Sequence, residues 1–562
     1  MSHQFAKPGP EAANAKLPDW KNQHYLLVDD FQGMRQLLRE SLRNLGARFV
    51  DQAGSGGEAI MMLQQTRYNV VLCDYNLGQG KNGQQVLEEA KLRELVRPTV
   101  VWIVVSAEKS VESVMGAAEL QPDAYLIKPI TEEVLLTRLN RAWHRKQVFR
   151  PIDQAYLEKD YLRAAKLCDV KGDATRVHAL DLLRMKAMLL IKSGEYEQAR
   201  EVYERVLGVR DFIWARAGLA KIKMKNGEFH VARDMFREII NENRYFIDAY
   251  DQLAATYQQM GQFDDAAKIL EAAAKLSPNS VQRQRSLGEL AMKVGNTAQA
   301  ERAFRKCLSM SEFSIYKSPD AQLGLARVCG QKSDTKEALA LLTAVQKEYH
   351  TEQVKLRAKI TEGLVYHESG DYIKARRAGD ELGEMLATTT DRPAPPICLD
   401  MARLMFAVGV KEPPVILLSE IIRNNHDNDL MLQEVQEIFE KARMGEEGAS
   451  IIAASRKEAS DLMNRGVLLW KTGKLPEAVE WMRNARQQLP TNLRVLFNCA
   501  QIMISYMQKH GFEASLAEEA RDVLLQVDRL QPGQQRFAQL MEMLADLTMR
   551  SQGRPAQDED ES

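Results

Sequence analysis

Short apolar runs alternate with amphipathic stretches over the first 148 residues of the chain. The apolar runs, rich in β-branched and aromatic residues, predict five strands: HYLLVDD (24–30), RFVDQA (48–53), YNVVLCD (68–74), TVVWIVVS (99–106) and AYLIKP (124–129). The amphipathic stretches predict helices over 34–46, 57–66, 83–95, 110–120 and 131–147. Strands that are each followed by a helix predict an α/β doubly wound domain with a parallel sheet covered on both faces.

After Pro151 the strand pattern ends, and a helical pattern repeats. Its mark is a Gly followed five residues later by an Ala, in GEYEQA (194–199), GEFHVA (227–232), GQFDDA (261–266) and GNTAQA (295–300). These alanines follow one another at steps of 33, 34 and 34 residues. Looser copies are KDYLRA (159–164), SDTKEA (333–338), GDYIKA (370–375) and GKLPEA (473–478). A fixed period of this length predicts a solenoid of helix pairs.

One unit, residues 249–280, shows how such a pair would pack. Small and large apolar residues recur at helical spacing in two segments, Gly261 lies between the segments, and Pro278 ends the second. The unit resembles the tetratricopeptide repeat family at Tyr250, Leu253, Ala254, Tyr257, Ala266, Leu270, Ala273 and Pro278. The resemblance implies an all-α superhelix over 152–550, followed by a disordered acidic tail (551–562).

The match to this repeat varies along the chain. It is clearest over 180–310, weaker over 311–380 and 459–490, and poor over 391–450. In that last region DRPAPP (391–396) and EPP (412–414) interrupt the pattern. We therefore expect irregular helical pairs, or a joint in the array, over 391–450.

Charge balance, apolar runs and cysteines limit the classes of partner and compartment that the sequence favours. The 562 residues include 76 Lys plus Arg and 77 Asp plus Glu, so neither nucleic acid nor an anionic membrane is favoured as the main partner. The first 24 residues have no apolar core of a signal peptide, and residues 1–22 are expected to be flexible. No apolar run reaches the about 18 residues of a membrane span. The six cysteines are scattered without a CxxC motif, and the expected compartment is the cytoplasm.

Three carboxylates are predicted to meet at one edge of the sheet. Asp29 and Asp30 end the first predicted strand, and Asp74 ends the third. The carboxyl ends of parallel strands share one edge, which is where ligands bind in open α/β sheets. Clustered carboxylates repel one another unless a cation compensates them, and all-oxygen ligands suit Mg²⁺. The sequence therefore predicts a magnesium site.

Two further strand ends supply complementary groups. Ser106 ends the fourth predicted strand, and Lys128 precedes Pro129 at the end of the fifth. A hydroxyl and an ammonium beside acids and Mg²⁺ are suited to holding a phosphoryl group, and Asp74 is a candidate nucleophile because carboxylates form aspartyl phosphates.

Residues 24–148 resemble the receiver domain of bacterial two-component response regulators, a flavodoxin-like fold. The steps from Asp30 to Asp74, Ser106 and Lys128, at 44, 32 and 22 residues, are typical of that family. The resemblance implies a phosphorelay domain over 23–148 with Asp74 as phosphoacceptor and Lys128 and Ser106 as its catalytic partners. It also implies a switch made of Ser106 and Tyr125, a cis Lys128–Pro129 bond, and Mg²⁺ bound by Asp29, Asp30, Asp74 and the backbone carbonyl of Asn76.

Three local motifs admit more than one interpretation. The loop DYNLGQGKNG (74–83) lacks the proline usual in the family and is about one residue longer, so its shape is expected to differ. GSGGEA (54–59) has dinucleotide-loop spacing, but we interpret it as the turn that begins a helix, because the acid pair already occupies the end of the first strand. Cys73 is expected to be a small buried residue rather than a redox thiol.

These features favour a signalling adaptor that is not an enzyme beyond its own phosphoryl transfer and dephosphorylation. A sensor histidine kinase or phosphotransfer protein would phosphorylate Asp74, and the array would bind a protein or peptide along its concave surface. Three alternatives stay open. One is a constitutive scaffold with a passive receiver, and another is an enzyme subunit with its active site in 391–450, where 426–441 carries several acids and one His. The third is an RNA-binding helical array, which the neutral charge disfavours.

Overall fold

A computed structural model describes residues 20–107, 116, 119–172, 178–388, 393–531 and 535–551, and elements are numbered within these ranges. The chain divides into two compact units, Met1–Ala321 and Gln322–Ser562. Trp20–Asn22 forms a 3₁₀ turn whose Trp20 is buried and packs on Tyr25 and Trp143. Trp20 therefore belongs to the same apolar core as the sheet, and the predicted boundary at residue 23 stays a prediction.

The first unit opens with a five-stranded parallel sheet in the order β2-β1-β3-β4-β5. The strands are β1 His24–Val28, β2 Phe49–Ala53, β3 Val70–Asp74, β4 Val101–Ser106 and β5 Ala124–Ile127. The helices that cover them are α1 Gln32–Asn44, α2 Gly56–Gln65, α3 Gly83–Leu92 and α4 Glu132–Gln147. The predicted doubly wound domain is confirmed, and most of the predicted helix over 110–120 lies outside the described residues.

Burial along the strands explains why their sequences read as continuous apolar runs. Every residue of β3 and β4 is buried, as expected where helices cover both faces of a parallel sheet. Neighbouring residues of β1 enter different cores: Leu26 packs with Val71 on one face, and Leu27 packs with Leu72 on the other. The edge strand β2 alternates between exposed and covered positions.

From residue 153 onward every described element is a helix. The helices of the first unit are α5 Asp153–Leu157, α6 Tyr161–Gly172, α7 Ala179–Lys192, α8 Tyr196–Val209, α9 Ile213–Lys225, α10 Phe229–Glu242, α11 Ile247–Gln259, α12 Phe263–Leu276, α13 Val281–Lys293 and α14 Thr297–Ser311. The helix α15 Asp320–Gln331 crosses the boundary between the two units.

The second unit continues with α16 Thr335–Glu348, α17 Glu352–Glu368, α18 Tyr372–Thr388, α19 Pro395–Ala407, α20 Glu412–Asn424, α21 Asp429–Lys441, α22 Gly445–Lys471, α23 Leu475–Gln488, α24 Leu493–His510, α25 Ala514–Leu530 and α26 Gln535–Ser551. Within the described part of the chain, no helix combines the length and the apolar character that crossing a bilayer demands.

The repeated glycine marks the turn inside each helix pair. Gly194, Gly227, Gly261 and Gly295 all have φ between 73° and 84°, which L side chains adopt only at a cost. The alanine five residues later is fully buried in each case and lets the two helices approach closely. Lys159 and Ser333 take the same conformation without glycine, at φ 59° and 64°, so the looser copies form the same turn.

The helix pairs of region 391–450 have the same turns and spacing as the repeats before them, and the prolines of this region do not interrupt the helices. Gly409 (φ 83°) and Arg443 (φ 60°) make the same turns, and the buried small positions that follow them are Pro414 and Gly448. The proline pairs at 395–396 and 413–414 lie in the first turns of α19 and α20, where the backbone N–H of a helix has no intrahelical acceptor to lose.

One long helix, α22, belongs to two neighbouring helix pairs. The 27 residues of α22 form the second helix of one pair and the first helix of the next. Its beginning packs on α21, where a Cβ on Gly448 would lie 2.4 Å from the Phe439 ring. Its end packs on α23, where a Cβ on Gly466 would lie 2.3 Å from the Met482 sulfur. Two pairs thus share one helix without an intervening loop.

Candidate functional site

The carboxyl edge of the sheet brings the three predicted acids together. Asp29 and Asp30 follow β1, Asp74 ends β3, and the two strands are neighbours, with Val28 opposite Cys73. One carboxylate oxygen from each of the three acids lies within 4.8 Å of the others. Asp29 and Asp74 are buried, whereas Asp30 is exposed. This is the arrangement that the sequence predicts.

Asp29 is held rigidly at the end of its strand. Its Oδ1 accepts a hydrogen bond from the backbone N–H of Phe31 (2.9 Å), and its Oδ2 accepts one from Lys128 Nζ (2.8 Å). Arg35 donates to the Asp29 backbone carbonyl. A buried carboxylate with these donors keeps one orientation, so its position relative to Asp74 is fixed.

Lys128 bridges the two buried acids. Its Nζ donates to Asp74 Oδ2 at 2.6 Å, and the Asn76 N–H donates to Asp74 Oδ1 at 3.2 Å. Burial raises the pKa of Asp74, although Lys128 opposes that change. Burial lowers the pKa of Lys128, but the hydrogen bonds to Asp29 and Asp74 outweigh it, and the net direction is upward. Lys128 therefore carries its proton and a full positive charge.

The remaining predicted residues lie next to this pair. Ser106 is buried at the end of β4, and its carbonyl accepts a hydrogen bond from the Lys128 backbone N–H at 2.8 Å. The Lys128–Pro129 bond is cis, as predicted. Tyr125 lies opposite Val104 in β4 and is half-buried against the apolar cluster that includes Trp102. The switch roles of Ser106 and Tyr125 stay predictions, as does the metal contact of Asn76.

The donor set fits a hard divalent cation. The Lys128 ammonium bonds Asp29 and Asp74, and Asp30 is the third acid of the cluster. One ammonium beside three carboxylates leaves the cluster with a net negative charge. Mg²⁺ prefers oxygen ligands and takes one or two carboxylates together with water and phosphate oxygens. Asp30, the exposed acid, leaves one side of the cluster open to solvent and to a phosphoryl group. Mg²⁺ is thus chemically compatible with these residues.

The loop after Asp74 folds back onto the acceptor itself. The Gly83 N–H donates to the Tyr75 carbonyl (2.8 Å), and a Cβ on Gly83 would lie 1.9 Å from the carbonyl oxygen of Asp74. Asn82 then caps α3 in a reciprocal capping box with Gln85. Only glycine fits at position 83, a constraint that sequence reasoning did not identify.

GSGGEA is the beginning of α2. The Ser55 hydroxyl caps this helix by accepting from the Glu58 N–H (3.3 Å). Gly56 is required for close packing, because a Cβ there would lie 2.5 Å from the Lys81 carbonyl oxygen. The motif therefore begins a helix, as we expected, and packs against the loop over the site.

Cys73 and the acids of segment 426–441 are accounted for by structural contacts. Burial raises the pKa of the Cys73 thiol, which donates to the Asp74 carbonyl at 3.3 Å. His426 is buried and bonded to Asn492 at 3.0 Å. The acids pair with arginines, as in Asp427–Arg494, Asp429–Arg456 and Glu434–Arg403. These contacts favour a structural role for the segment over an enzyme active site.

Each of the two parts of this architecture matches a known protein family. A family model described as the response regulator receiver domain matches residues 25–140, and tetratricopeptide repeat models match 181–211, 247–290 and 285–352. The chemotaxis protein CheY-3 of Vibrio cholerae is 30% identical over 125 residues, which are 22% of this chain and 95% of that protein. The chain belongs to the response regulator receiver family.

Other relatives cover the same part of this response regulator. The chemotaxis protein CheY of Pseudomonas aeruginosa is 29% identical over 120 residues, 21% of this chain and 95% of the relative. A solved CheY-like receiver from Methanospirillum hungatei is 25% identical and covers 22% of this chain and 96% of its own, with a TM-score of 0.20. The predicted combination of a receiver and tetratricopeptide repeats is confirmed.

Sequence patterns did not predict the contacts between the receiver and the array. The clearest joins Glu119, just before β5, to Arg283 of α13, 164 positions later. The array also accepts hydrogen bonds from the segment that follows Asp74. No periodicity or motif links residues so far apart in the chain.

Proposed function

We propose that Asp74 accepts a phosphoryl group from a sensor histidine kinase or a phosphotransfer protein, and that this event regulates protein binding by the repeat array. The observation that carries the proposal is the cluster itself: Asp74, two further acids and Lys128 meet at one sheet edge, with Lys128 Nζ 2.6 Å from Asp74. Receiver domains serve phosphorelay signalling, and tetratricopeptide repeats serve protein interaction, so the chain has the architecture of a regulator.

The transfer uses residues already in place. An Asp74 Oδ attacks the phosphorus of a phosphohistidine, an acyl phosphate bond forms, and the P–N bond breaks with its electron pair leaving on the imidazole nitrogen. Lys128 pairs with the phosphoryl oxygens and releases the carboxylate it held. Mg²⁺ held by Asp29, Asp30, Asp74 and the Asn76 carbonyl would neutralise charge on the phosphoryl oxygens. Water later hydrolyses the acyl phosphate.

The switch follows from the position of Ser106. Ser106 ends β4, its backbone carbonyl accepts from the Lys128 N–H, and in the proposed switch its hydroxyl donates to the phosphoryl group once that group is present. Tyr125, half-buried one strand away, then moves inward behind it. These shifts alter the surface near the end of the sheet and bias a docking equilibrium.

Exposed apolar side chains next to the acids suit the docking of a phosphodonor protein. Phe31 directly follows Asp30 and is 69% exposed, and Ile127, which precedes Lys128, is 45% exposed. Apolar residues flanking a charged site contribute contact area without covering Asp30. In the proposed role the protein works in the cytoplasm, where its six cysteines, all free and buried, would remain reduced.

Partner capture tests the regulatory half of this proposal. Full-length protein, untreated or given acetyl phosphate and Mg²⁺, is used as bait in native extract beside Asp74→Ala treated in the same way. We expect acetyl phosphate to change the captured set for the wild type and to leave the set for Asp74→Ala unchanged.

Identical sets in all four conditions would contradict regulation by Asp74. They would leave the array as a constitutive scaffold beside a passive receiver. Quantifying the bait in each capture provides the control for unequal loading.

A further inference from the structure

Within the first unit, the segment that follows the phosphoacceptor is bonded to the repeat array. Three side chains of this segment donate hydrogen bonds to backbone carbonyls at or just beyond the C-terminal ends of helices α12 and α14. The bonds are Lys81 Nζ to Phe313 O (2.5 Å), Gln84 Nε2 to Asn279 O (3.3 Å) and Gln85 Nε2 to Met310 O (2.8 Å). The receiver is thus held at the edge nearest its reactive residue.

A buried arginine provides the strongest contact. The Arg283 side chain is 2% exposed and bonds both oxygens of Glu119, at 2.9 and 3.4 Å. The same guanidinium bonds Asp251 at 2.7 and 2.8 Å and the Ser277 carbonyl at 2.9 Å. If Glu119 withdraws, Arg283 keeps Asp251 as its counterion. Undocking therefore leaves no uncompensated buried charge, which is the usual cost of breaking such a pair.

The contacts of the receiver run along the first helices of several pairs. Arg283, which bonds Glu119, lies on α13, and Arg184 of α7 donates to Gln121 of the receiver at 3.1 Å. Solenoids of helix pairs bind their partners along extended surfaces of this kind. The receiver therefore covers array surface that a partner would need.

The residue that directly follows the phosphoacceptor, Tyr75, is part of this interface. The Tyr75 hydroxyl donates to Gln84 Oε1 (3.1 Å) and accepts from Asn279 Nδ2 of the array (3.3 Å). Gly83 touches the Asp74 backbone, so a shift of the acceptor moves both ends of the loop. A cleft of about 740 Å³ between the loop and α13–α14 gives these residues room to move.

We propose that the receiver docks on its own array through Glu119–Arg283 and the loop after Asp74, and that phosphorylation of Asp74 releases it and uncovers the surface of α13–α14. The releasing step rests on the proposed function; the docking does not. The phosphoryl group brings a charge of about −2 to the loop and draws Ser106 and Lys128 toward itself. Hydrogen bonds near 3 Å do not survive loop shifts of about an ångström, since they weaken steeply with distance and angle.

The docking is tested without any phosphodonor. Hydrogen–deuterium exchange is measured on the full chain for wild type, Glu119→Lys and Glu133→Lys. Glu119→Lys places an ammonium against Arg283, so exchange over 277–285 and 308–316 is expected to rise by about tenfold or more. Glu133→Lys makes the same charge change on the exposed start of α4 and should leave those segments at wild-type rates. Equal exchange in the two variants would overturn the docking.

The releasing step is tested on wild type whose Asp74 labelling by acetyl phosphate and Mg²⁺ has been quantified. We expect labelled protein to match Glu119→Lys over 277–285 and 308–316, with the strands β1 and β3 unchanged. Labelled protein that keeps wild-type protection would overturn release and leave the proposed phosphoacceptor standing. Absence of label would overturn the phosphoacceptor, and release with it, while the Glu119→Lys comparison still decides the docking.

Discussion

At the scale of single residues, the site depends on how the charges of its buried carboxylates are compensated. Isolated carboxylates cost several kcal/mol to bury, of the order of 3–5 kcal/mol when a partner is removed. Asp29 and Asp74 avoid this cost by sharing Lys128, at 2.8 and 2.6 Å. The sequence predicted these three residues and Ser106, because residue type and strand ends identify them. It did not predict Gly83, whose role depends on a backbone contact with Asp74.

A half-buried acid beyond the site, Glu88, makes stability depend on pH. Burial, together with the nearby charge of Glu119, raises the pKa of Glu88 to about 7. A carboxyl whose pKa is higher in the folded state stabilises that state when protonated, and this contribution is lost as pH rises from the unfolded value toward 7 and above. We therefore expect Glu88→Gln to be more stable than wild type at pH 8.5, by about 1–3 kcal/mol, and to differ little at pH 4.

Thermal melts of the full chain at the two pH values provide the measurement. Glu133→Gln, at the exposed start of α4, is the matched control and should follow the wild type at both values. If the melting temperatures of Glu88→Gln and wild type change by the same amount between the two pH values, burial of Glu88 does not destabilise the folded state.

At the scale of elements, the repeat is set by one backbone conformation. The turn residue of each pair has positive φ, whether it is Gly295 (76°), Ser333 (64°) or Arg443 (60°). Glycine adopts this conformation without strain, whereas other L residues pay about 1–2 kcal/mol. The conformation, and not the identity of the residue, defines the repeat.

Exchanging turn residues tests this claim. Ser333→Gly should slow exchange in α15 and α16 because it relieves strain of about 1 kcal/mol. The reverse substitution, Gly295→Ser, should speed exchange in α13 and α14, since a Cβ at Gly295 meets nothing within 4 Å and only the backbone is affected. Exchange is read for each helix pair because repeat arrays need not unfold in one step. Equal effects of the two substitutions would refute the backbone account.

Sequence patterns predicted most helices and strands, but they missed the features in which the chain departs from the repeat motif. The strands were located to within two residues at their starts, because buried parallel strands give continuous apolar runs. Region 391–450 was interpreted as irregular because its proline-rich segments interrupt the pattern, whereas in the structure Pro414 and Gly448 stand where the motif has alanine. The fusion of two repeats in α22 was also missed, since its 27 residues contain no proline and carry no sign of which half packs on which neighbour.

At the scale of the whole molecule, the receiver and the first repeats belong to one compact unit, Met1–Ala321. The sequence predicted both parts but could not predict their contact, because Glu119 and Arg283 are 164 positions apart and no pattern connects them. The structure thus connects the proposed phosphoacceptor to the array directly, through Tyr75 and Asn279, and the account depends on Asp74 being able to carry a phosphoryl group.

Phosphoryl uptake is the most direct measurement. The full chain is incubated with acetyl phosphate and Mg²⁺, and the site of labelling is mapped by mass spectrometry under conditions that preserve acyl phosphates. Asp51→Asn, which alters an acid of β2 bonded to Tyr68, serves as a control beside Asp74→Asn. The account predicts one phosphoryl group on wild type and Asp51→Asn, located at Asp74, and none on Asp74→Asn. No uptake by wild type, or equal uptake by Asp74→Asn, would contradict it.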